Sequence, residues 1–245
     1  MNKSSLVLRV DNKFAIYPPG ERTYSNIITI VSGLPRSGTS MIMKMLDCGN
    51  MPLMTDNIRQ PDVDNPEGYY EFEKVKELKH DNSCLEMARG KAVKIVSPLL
   101  QYLILNKAYR YKIIFMLRNL DEVLASQKKM ADRLNQSEDR IGDNILKQSY
   151  TSHIEEVRHW LEQNENIDFM FLNYKDVISN PTSVSEDISA FLGINLNVEA
   201  MSMVLDNTLY RQQKDKIINP ADGILTDEKT DKEAIMDQLK QLGYL

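Results

Sequence analysis

The chain has 245 residues, 42% of them hydrophobic and only 7% aromatic, with a formal net charge of −5. At roughly 100–200 residues per domain this is one large domain or two small ones, and the apolar share is enough for an ordinary core. The acidic balance argues against a general nucleic-acid binder, which needs a basic excess, and no window approaches the roughly 20 apolar residues of a membrane span. The start, MNKSSLVLRVDNKF, has no apolar stretch followed by a cleavage site, so no secretory signal is expected. Two cysteines, Cys48 and Cys84, cannot build a disulfide framework or a zinc site by themselves; a reducing, cytoplasmic compartment is the expectation.

In chain order, residues 5–17 read as an irregular strand or hairpin piece closed by Pro18-Pro19-Gly20. Ile27-Ile28-Thr29-Ile30-Val31 is a short β-branched run of the kind found in buried parallel strands. A helix follows from about Thr39, with Met41, Ile42, Met45 and Leu46 on one face and Gly49 placed to end it. Met43, Met45, Met51 and Met54 read as core filler. Further strands are expected at 92–96, 111–117 and 169–172. A helix starts near Leu120 with Asp121 and Glu122 in its first turn, where carboxylates suit the macrodipole. A long amphipathic stretch covers about 139–163, and another helix runs from Asn180-Pro181 to Gly193, with Pro early and Gly late. The tail from Thr226 is charged and weakly helical, which predicts a peripheral element. Strands alternating with helices indicate an α/β fold with a mostly parallel sheet in a single domain.

The strongest motif is the loop Gly33-Leu34-Pro35-Arg36-Ser37-Gly38-Thr39-Ser40 between the first buried strand and its helix. Gly33 and Gly38 permit backbone geometry in which successive N–H groups converge on an anion, and the opening helix adds unpaired donors and a positive dipole end. Ser37, Thr39 and Ser40 supply hydroxyls. The spacing is that of a P-loop, but Thr39 stands where a nucleoside triphosphatase carries Lys, and the cation lies inside the loop at Arg36. No Asp ends a later strand to hold magnesium. Residues 107–133 form a basic patch of net +4, made by Lys107, Arg110, Lys112, Arg118, Lys128, Lys129 and Arg133 against Asp121, Glu122 and Asp132.

GLPRSGTS after a strand resembles the 5′-phosphosulfate loop of sulfotransferases that use 3′-phosphoadenosine 5′-phosphosulfate (PAPS), in which Lys or Arg occupies the place of Arg36. A second motif carries the same resemblance: Arg118 at a strand end and Ser126 eight residues later match the pair that binds the nucleotide's 3′-phosphate in that family. An Arg offers a planar fork to phosphate oxygens, and a Ser two turns into the following helix reaches them too. Tyr174 matches a strand-end Tyr near the adenine, and a core or cap role serves it equally. The resemblance lies within 27–193. It implies a P-loop-like three-layer α/β fold with a central mostly parallel sheet flanked by helices, a core at about 27–193 and peripheral C-terminal helices at about 194–245.

The activity so implied moves a sulfonyl group from PAPS, as co-substrate and without a metal, to a hydroxyl or amine of a small-molecule or glycan acceptor. Gly33, Pro35, Arg36, Ser37, Gly38, Thr39, Ser40, Arg118, Ser126 and Tyr174 would bind the nucleotide, with Arg36 also stabilising charge on the bridging oxygen. For the base, Asp56 is the first candidate by position after the first helix, and Glu71 the second, at the end of the turn-rich segment 62–71 where a lid could lie. His80, His153 and His159 are the only histidines, and the last two lie on the long helix among charges, where solvent exposure is expected. Lys94 sits in an otherwise apolar strand, serving a bound anion or, equally, blunting a sheet edge; in the family a Lys from an equivalent region helps position donor and acceptor, which implies a catalytic role for it. Arg211, Lys214 and Lys216 fall where relatives add a loop over the nucleotide. Two alternatives stay open: a nucleotide or small-molecule kinase with an aberrant loop, and a non-catalytic nucleotide-binding module. The acceptor and the oligomeric state are not encoded legibly.

Overall fold

The computed structural model describes residues 8–9, 26–56, 58–63, 65–66, 68–105, 109–134, 142–205 and 228–244. Five strands form one sheet: β1 (Leu8–Arg9), β2 (Ile27–Gly33), β3 (Ala92–Lys94), β4 (Arg110–Leu117) and β5 (Ile167–Asn173), in the order β1-β5-β4-β2-β3. β2, β3, β4 and β5 run parallel, and β1 pairs antiparallel with β5. The expected strands are therefore present, β3 two residues shorter than its apolar run. Of the predicted 5–17 piece only Leu8–Arg9 falls within the described residues.

The helices are α1 (Thr39–Cys48), α2 (Leu120–Arg133), α3 (Asp143–Gln163), α4 (Tyr174–Ser179), α5 (Pro181–Leu192), α6 (Val198–Ser202) and α7 (Glu228–Gln241). Three of them begin on a plain physical cue. Gly38 precedes α1, Asn119 caps α2 by accepting from the N–H groups of Asp121 and Glu122, and Pro181 opens α5. Among the described residues no helix is long and apolar enough to cross a membrane.

Strand alternation splits the core into two halves. Ile28, Ile30, Tyr111, Ile113, Phe115, Phe169 and Phe171 point to one face, which α2, α3 and α7 cover. Val31, Ile114, Met116, Met170 and Leu172 point to the other, covered by α1, α4, α5 and α6. Three layers result, the arrangement that a parallel sheet with both faces apolar demands. Met43, Met45, Met51 and Met54 are all buried, as core filler should be, whereas Met41 is only half-buried and Met43 takes its place on the inner face of α1.

One expectation about exposure fails and another is refined. Among the described residues of the tail, α7 turns one face to the core, where Ile235, Leu239, Leu242 and Tyr244 are each at most 5% exposed, and keeps Lys232, Glu233, Asp237 and Lys240 exposed. His153 is buried and exchanges a 2.9 Å hydrogen bond with the Ser97 hydroxyl. It lies on the inner stripe of α3 with Leu146, Tyr150, Val157 and Leu161, so the helical period put it inside despite its charged neighbours.

Candidate active site

The loop 34–38 turns the chain from the carboxyl end of β2 into α1, the end of a parallel sheet where ligand sites of α/β folds form. Its two glycines are required by close approach. A Cβ on Gly33 (φ +150) would stand 2.7 Å from the Met116 carbonyl oxygen, and one on Gly38 (φ +105) would stand 2.5 Å from the Tyr174 ring. Arg36 adopts φ +72, a left-handed conformation that costs a non-glycine residue about 1–2 kcal/mol.

β4 delivers Arg118 to the same place. Its Nη1 donates to the Arg36 carbonyl at 3.1 Å, its Nε pairs with Glu122 Oε2 at 2.9 Å, and its guanidinium lies 4.2 Å from the Tyr174 ring centroid. From α2, Ser126 Oγ accepts a 2.9 Å hydrogen bond from Arg36 Nε. Gln127, one residue on, supports the loop from below: its Nε2 donates to the Pro35 carbonyl at 3.0 Å, and its Oε1 accepts from Tyr150 of α3 at 2.8 Å. The two motifs that lie 82 or more residues apart in sequence thus touch directly.

A third set comes from β3 and the segment after α1. Lys94 is 4% exposed, and its Nζ donates to the Tyr69 carbonyl (2.9 Å), Glu71 Oε1 (3.1 Å) and Ser40 Oγ (3.3 Å). Burial pulls its pKa below the ordinary lysine value, against the opposing pull of the Glu71 carboxylate. Glu71 Oε2 also pairs with Arg59 at 3.4 Å, so both carboxylate oxygens are engaged by cations. β3 is an edge strand, but Lys94 points inward to the cavity, so it does not guard the edge.

These groups surround a cavity of about 200 Å³ lined by Arg36, Gly38, Thr39, Ser40, Lys94, Arg118, Ser126 and Tyr174 among others. Six cations reach its wall, the remaining ones being Lys44, Lys129 and Arg133, and no Asp or Glu among the described residues does. Such a lining focuses a positive field on whatever occupies the cavity.

The other predicted residues are placed elsewhere. Gly33, Pro35 and Ser37 shape the loop from behind, and Ser37 Oγ is buried with no hydrogen-bond partner among the described residues. Asp56 is absent from the wall: its oxygens accept from the N–H groups of Ile58 (3.0 Å) and Glu73 (2.6 Å), which makes it a clamp on the chain after α1. Glu71 sits one hydrogen bond behind Lys94. Of the basic patch, Arg118, Lys129 and Arg133 line the cavity, while Lys112 is buried six residues before Arg118 on β4, away from the cavity, with Nζ on the Phe191 carbonyl. Lys107, Arg211, Lys214 and Lys216 lie outside the described residues. Sequence reasoning passed over Arg59, Lys44, Gln127 and Tyr244. For Tyr244 a signal existed, since Ile235, Leu239 and Leu242 repeat at helical spacing toward it.

A glycine-flanked loop between a parallel strand and a helix, its cation held inside the loop and a second arginine and a serine beside it, defines an α/β protein with a P-loop-like fold. Residues 27–239 match the family model of the sulfotransferase domain, and the chain belongs to that family. It is 28% identical over 114 residues to the 3-beta-hydroxysteroid sulfotransferase of Cavia porcellus, covering 42% of this chain and 39% of that protein. It is 24% identical over 203 residues to sulfotransferase 1B1 of Canis lupus familiaris, covering 76% of this chain and 66% of that one. The chain thus spans less than two thirds of either relative. Among solved structures, mouse sulfotransferase SULT7A1 complexed with PAP is 18% identical, with a TM-score of 0.42 over 74% of this chain and 62% of that one. The sulfotransferase domain from the curacin biosynthetic pathway is 13% identical, with a TM-score of 0.44 over 88% and 98%.

Proposed function

We propose that this chain transfers a sulfonyl group from PAPS to a hydroxyl or amine of a small-molecule or glycan acceptor. One observation carries the reading: Arg36 of the phosphate loop is hydrogen-bonded to Ser126, and Arg118 to the Arg36 carbonyl, so both anion-gripping motifs open on one cation-walled cavity. A mononucleotide with phosphates on both sides of its ribose needs that adjacency. The six-cation wall fits a multiply charged anion, and the hydroxyls of Thr39 and Ser40 stand on it.

In this reading the loop N–H groups, the start of α1 and Thr39 hold the 5′-phosphate. Arg118 and Ser126 hold the 3′-phosphate, with Lys129 and Arg133 adding charge one and two turns further along α2. Tyr174, packed on Gly38, lies beside the base. Arg36 stabilises charge on the bridging oxygen as the acceptor oxygen or nitrogen attacks sulfur and the bond from sulfur to that bridging oxygen breaks. Lys94 reaches the reacting groups from β3; it passes one of its own protons to Glu71, bonded behind it, and takes the acceptor's proton in its place, so that Glu71 ends protonated and Lys94 ends charged as before. Asp56, committed to two backbone N–H groups, has no part. The two unpaired cysteines, Cys48 and Cys84, suit a cytoplasmic setting.

Thermal shift with PAP, ATP and ATP plus magnesium tests the reading. PAP should raise the melting temperature without a divalent cation. Stabilisation by ATP with magnesium and none by PAP would replace it with a kinase. Transfer of label from PAPS to an acceptor then separates enzyme from binding module.

A further inference from the structure

The loop that turns out of β2 has its carbonyl oxygens tied back. The Leu34 carbonyl accepts from the Ser37 N–H at 3.1 Å, the Arg36 carbonyl from Arg118 Nη1 at 3.1 Å, and the Gly38 carbonyl from the N–H groups of Met41 and Ile42 at 3.1 and 3.3 Å. The Pro35 carbonyl goes to Gln127 Nε2 at 3.0 Å. For an anion this matters, because converging N–H groups attract it and a carbonyl oxygen turned the same way repels it. The bonds at Leu34 and Gly38 belong to the turn and to α1 itself. Those at Pro35 and Arg36 depend on side chains that other elements bring.

Gln127 follows Ser126 on α2 and is 1% exposed, behind the cavity wall. Its amide has one orientation. A carbonyl oxygen only accepts, so Nε2 must face Pro35, which leaves Oε1 to receive the Tyr150 hydroxyl at 2.8 Å and Gln238 Nε2 at 3.5 Å. Burial raises the Tyr150 pKa above the ordinary tyrosine value, so that phenol stays protonated and donates. Tyr150 lies on α3 and Gln238 on α7. Two neighbouring helices therefore fix one amide, and that amide fixes one carbonyl of the loop. The next residue is Arg36 at φ +72, a conformation that persists only where its surroundings enforce it.

We infer that Gln127 is a positioning residue for the nucleotide's 5′-phosphate: it draws the Pro35 carbonyl behind the wall, so that the loop meets the phosphate with donors and not with an acceptor. The inference rests on the reading proposed above. It assigns no contact between Gln127 and the nucleotide, and its effect is confined to the 5′ side.

Gln127→Met keeps the length of the side chain and removes both polar atoms. Calorimetry below the melting transition should show PAP bound roughly tenfold more weakly, the usual worth of one buried hydrogen bond. Adenosine 3′-phosphate, which lacks the 5′-phosphate, should bind both proteins equally. A residue that merely stabilised the fold would weaken neither ligand, and one that acted through Ser126 would weaken both; either result overturns the inference. Tyr150→Phe leaves the amide in place but frees its oxygen, and should give a smaller loss with the same preference for PAP; it carries the test alone should Gln127→Met not fold. Exchange of the Arg36, Ser37 and Gly38 backbone amides in ligand-free protein gives an answer that needs no nucleotide. Faster exchange in either variant supports the hold, and unchanged rates overturn it. Wild-type protein that binds no PAP, beside a variant with faster exchange, would count against the transfer reading alone.

Discussion

Two cavities flank the segment that runs out of β3, and they are built on opposite principles. Lys94 faces the first, and Ser97, three residues on, faces the second, a space of about 320 Å³ lined also by His153, Trp160, Ile235 and Met236. In the first, six cations converge on a common void, and an acidic partner such as Glu71 stands behind the wall. In the second, the polar groups answer one another: the buried Ser97 and His153 bond at 2.9 Å, and at the exposed rim Lys232 pairs with Glu156 at 3.4 Å. Burial alone therefore does not mark a functional group. What separates the two is whether the polar atoms leave charge unbalanced toward the space they line.

Three substitutions test that contrast. The largest effect belongs to Arg36→Ala, which should lower kcat by about 10²–10³, the usual result of removing a donor aimed at developing charge, while the fold survives. Steady-state kinetics beside a melting curve measures both; full turnover would erase the difference between the cavities. Arg118→Ala comes next. It should weaken PAP binding by roughly 10–100-fold, the worth of a hydrogen bond to a charged group, measured by titration calorimetry. Because Arg118 also secures the Arg36 carbonyl, kcat should fall along with affinity. The smallest effect on activity is expected from His153→Gln in the second cavity, which should leave turnover alone and change only the response to acid.

The sign of that response follows from burial. Desolvation lowers the His153 pKa from 6.5 to about 4, so the unfolded chain binds the proton that the folded one refuses. Stability is fully present above pH 6.5 and is lost as pH falls toward 4, by about 3 kcal/mol for this group at one pKa unit per 1.36 kcal/mol. Urea unfolding across that window should show a shallower slope for His153→Gln than for the wild type. Identical slopes would mean that the imidazole already titrates freely.

The legible parts of the molecule are those in which neighbours in sequence are neighbours in space. A β-branched run, a glycine-flanked turn and a helix cap announce β2, the loop and α1 within two dozen residues, and the same holds from β4 through Ser126. Arg36, Thr39, Ser40, Arg118, Ser126 and Tyr174 were readable for that reason, and the structure puts all of them on one wall. The support behind Lys94 and Tyr244 is assembled from pairs far apart: Arg59 with Leu242, Lys76 with Gly243, Lys94 with Glu71. Nothing local records such a meeting, so the packing of the tail on the segment after α1 and the Lys94–Glu71 pair were not legible. His153 is a different failure. Its stripe was visible at helical spacing, and the charged residues beside it in sequence were given more weight than the period.

Gly38 lets the Tyr174 ring approach, Arg118 lies over that ring, and its guanidinium returns to the carbonyl of Arg36 two residues before Gly38. This closed circuit ties the tips of β2, β4 and β5 together, so fraying at one tip loosens the other two. In the reading proposed above, anion affinity is then expected to disappear in a single step on warming, ahead of the melting of the sheet beneath, with a bound nucleotide bringing the two transitions together.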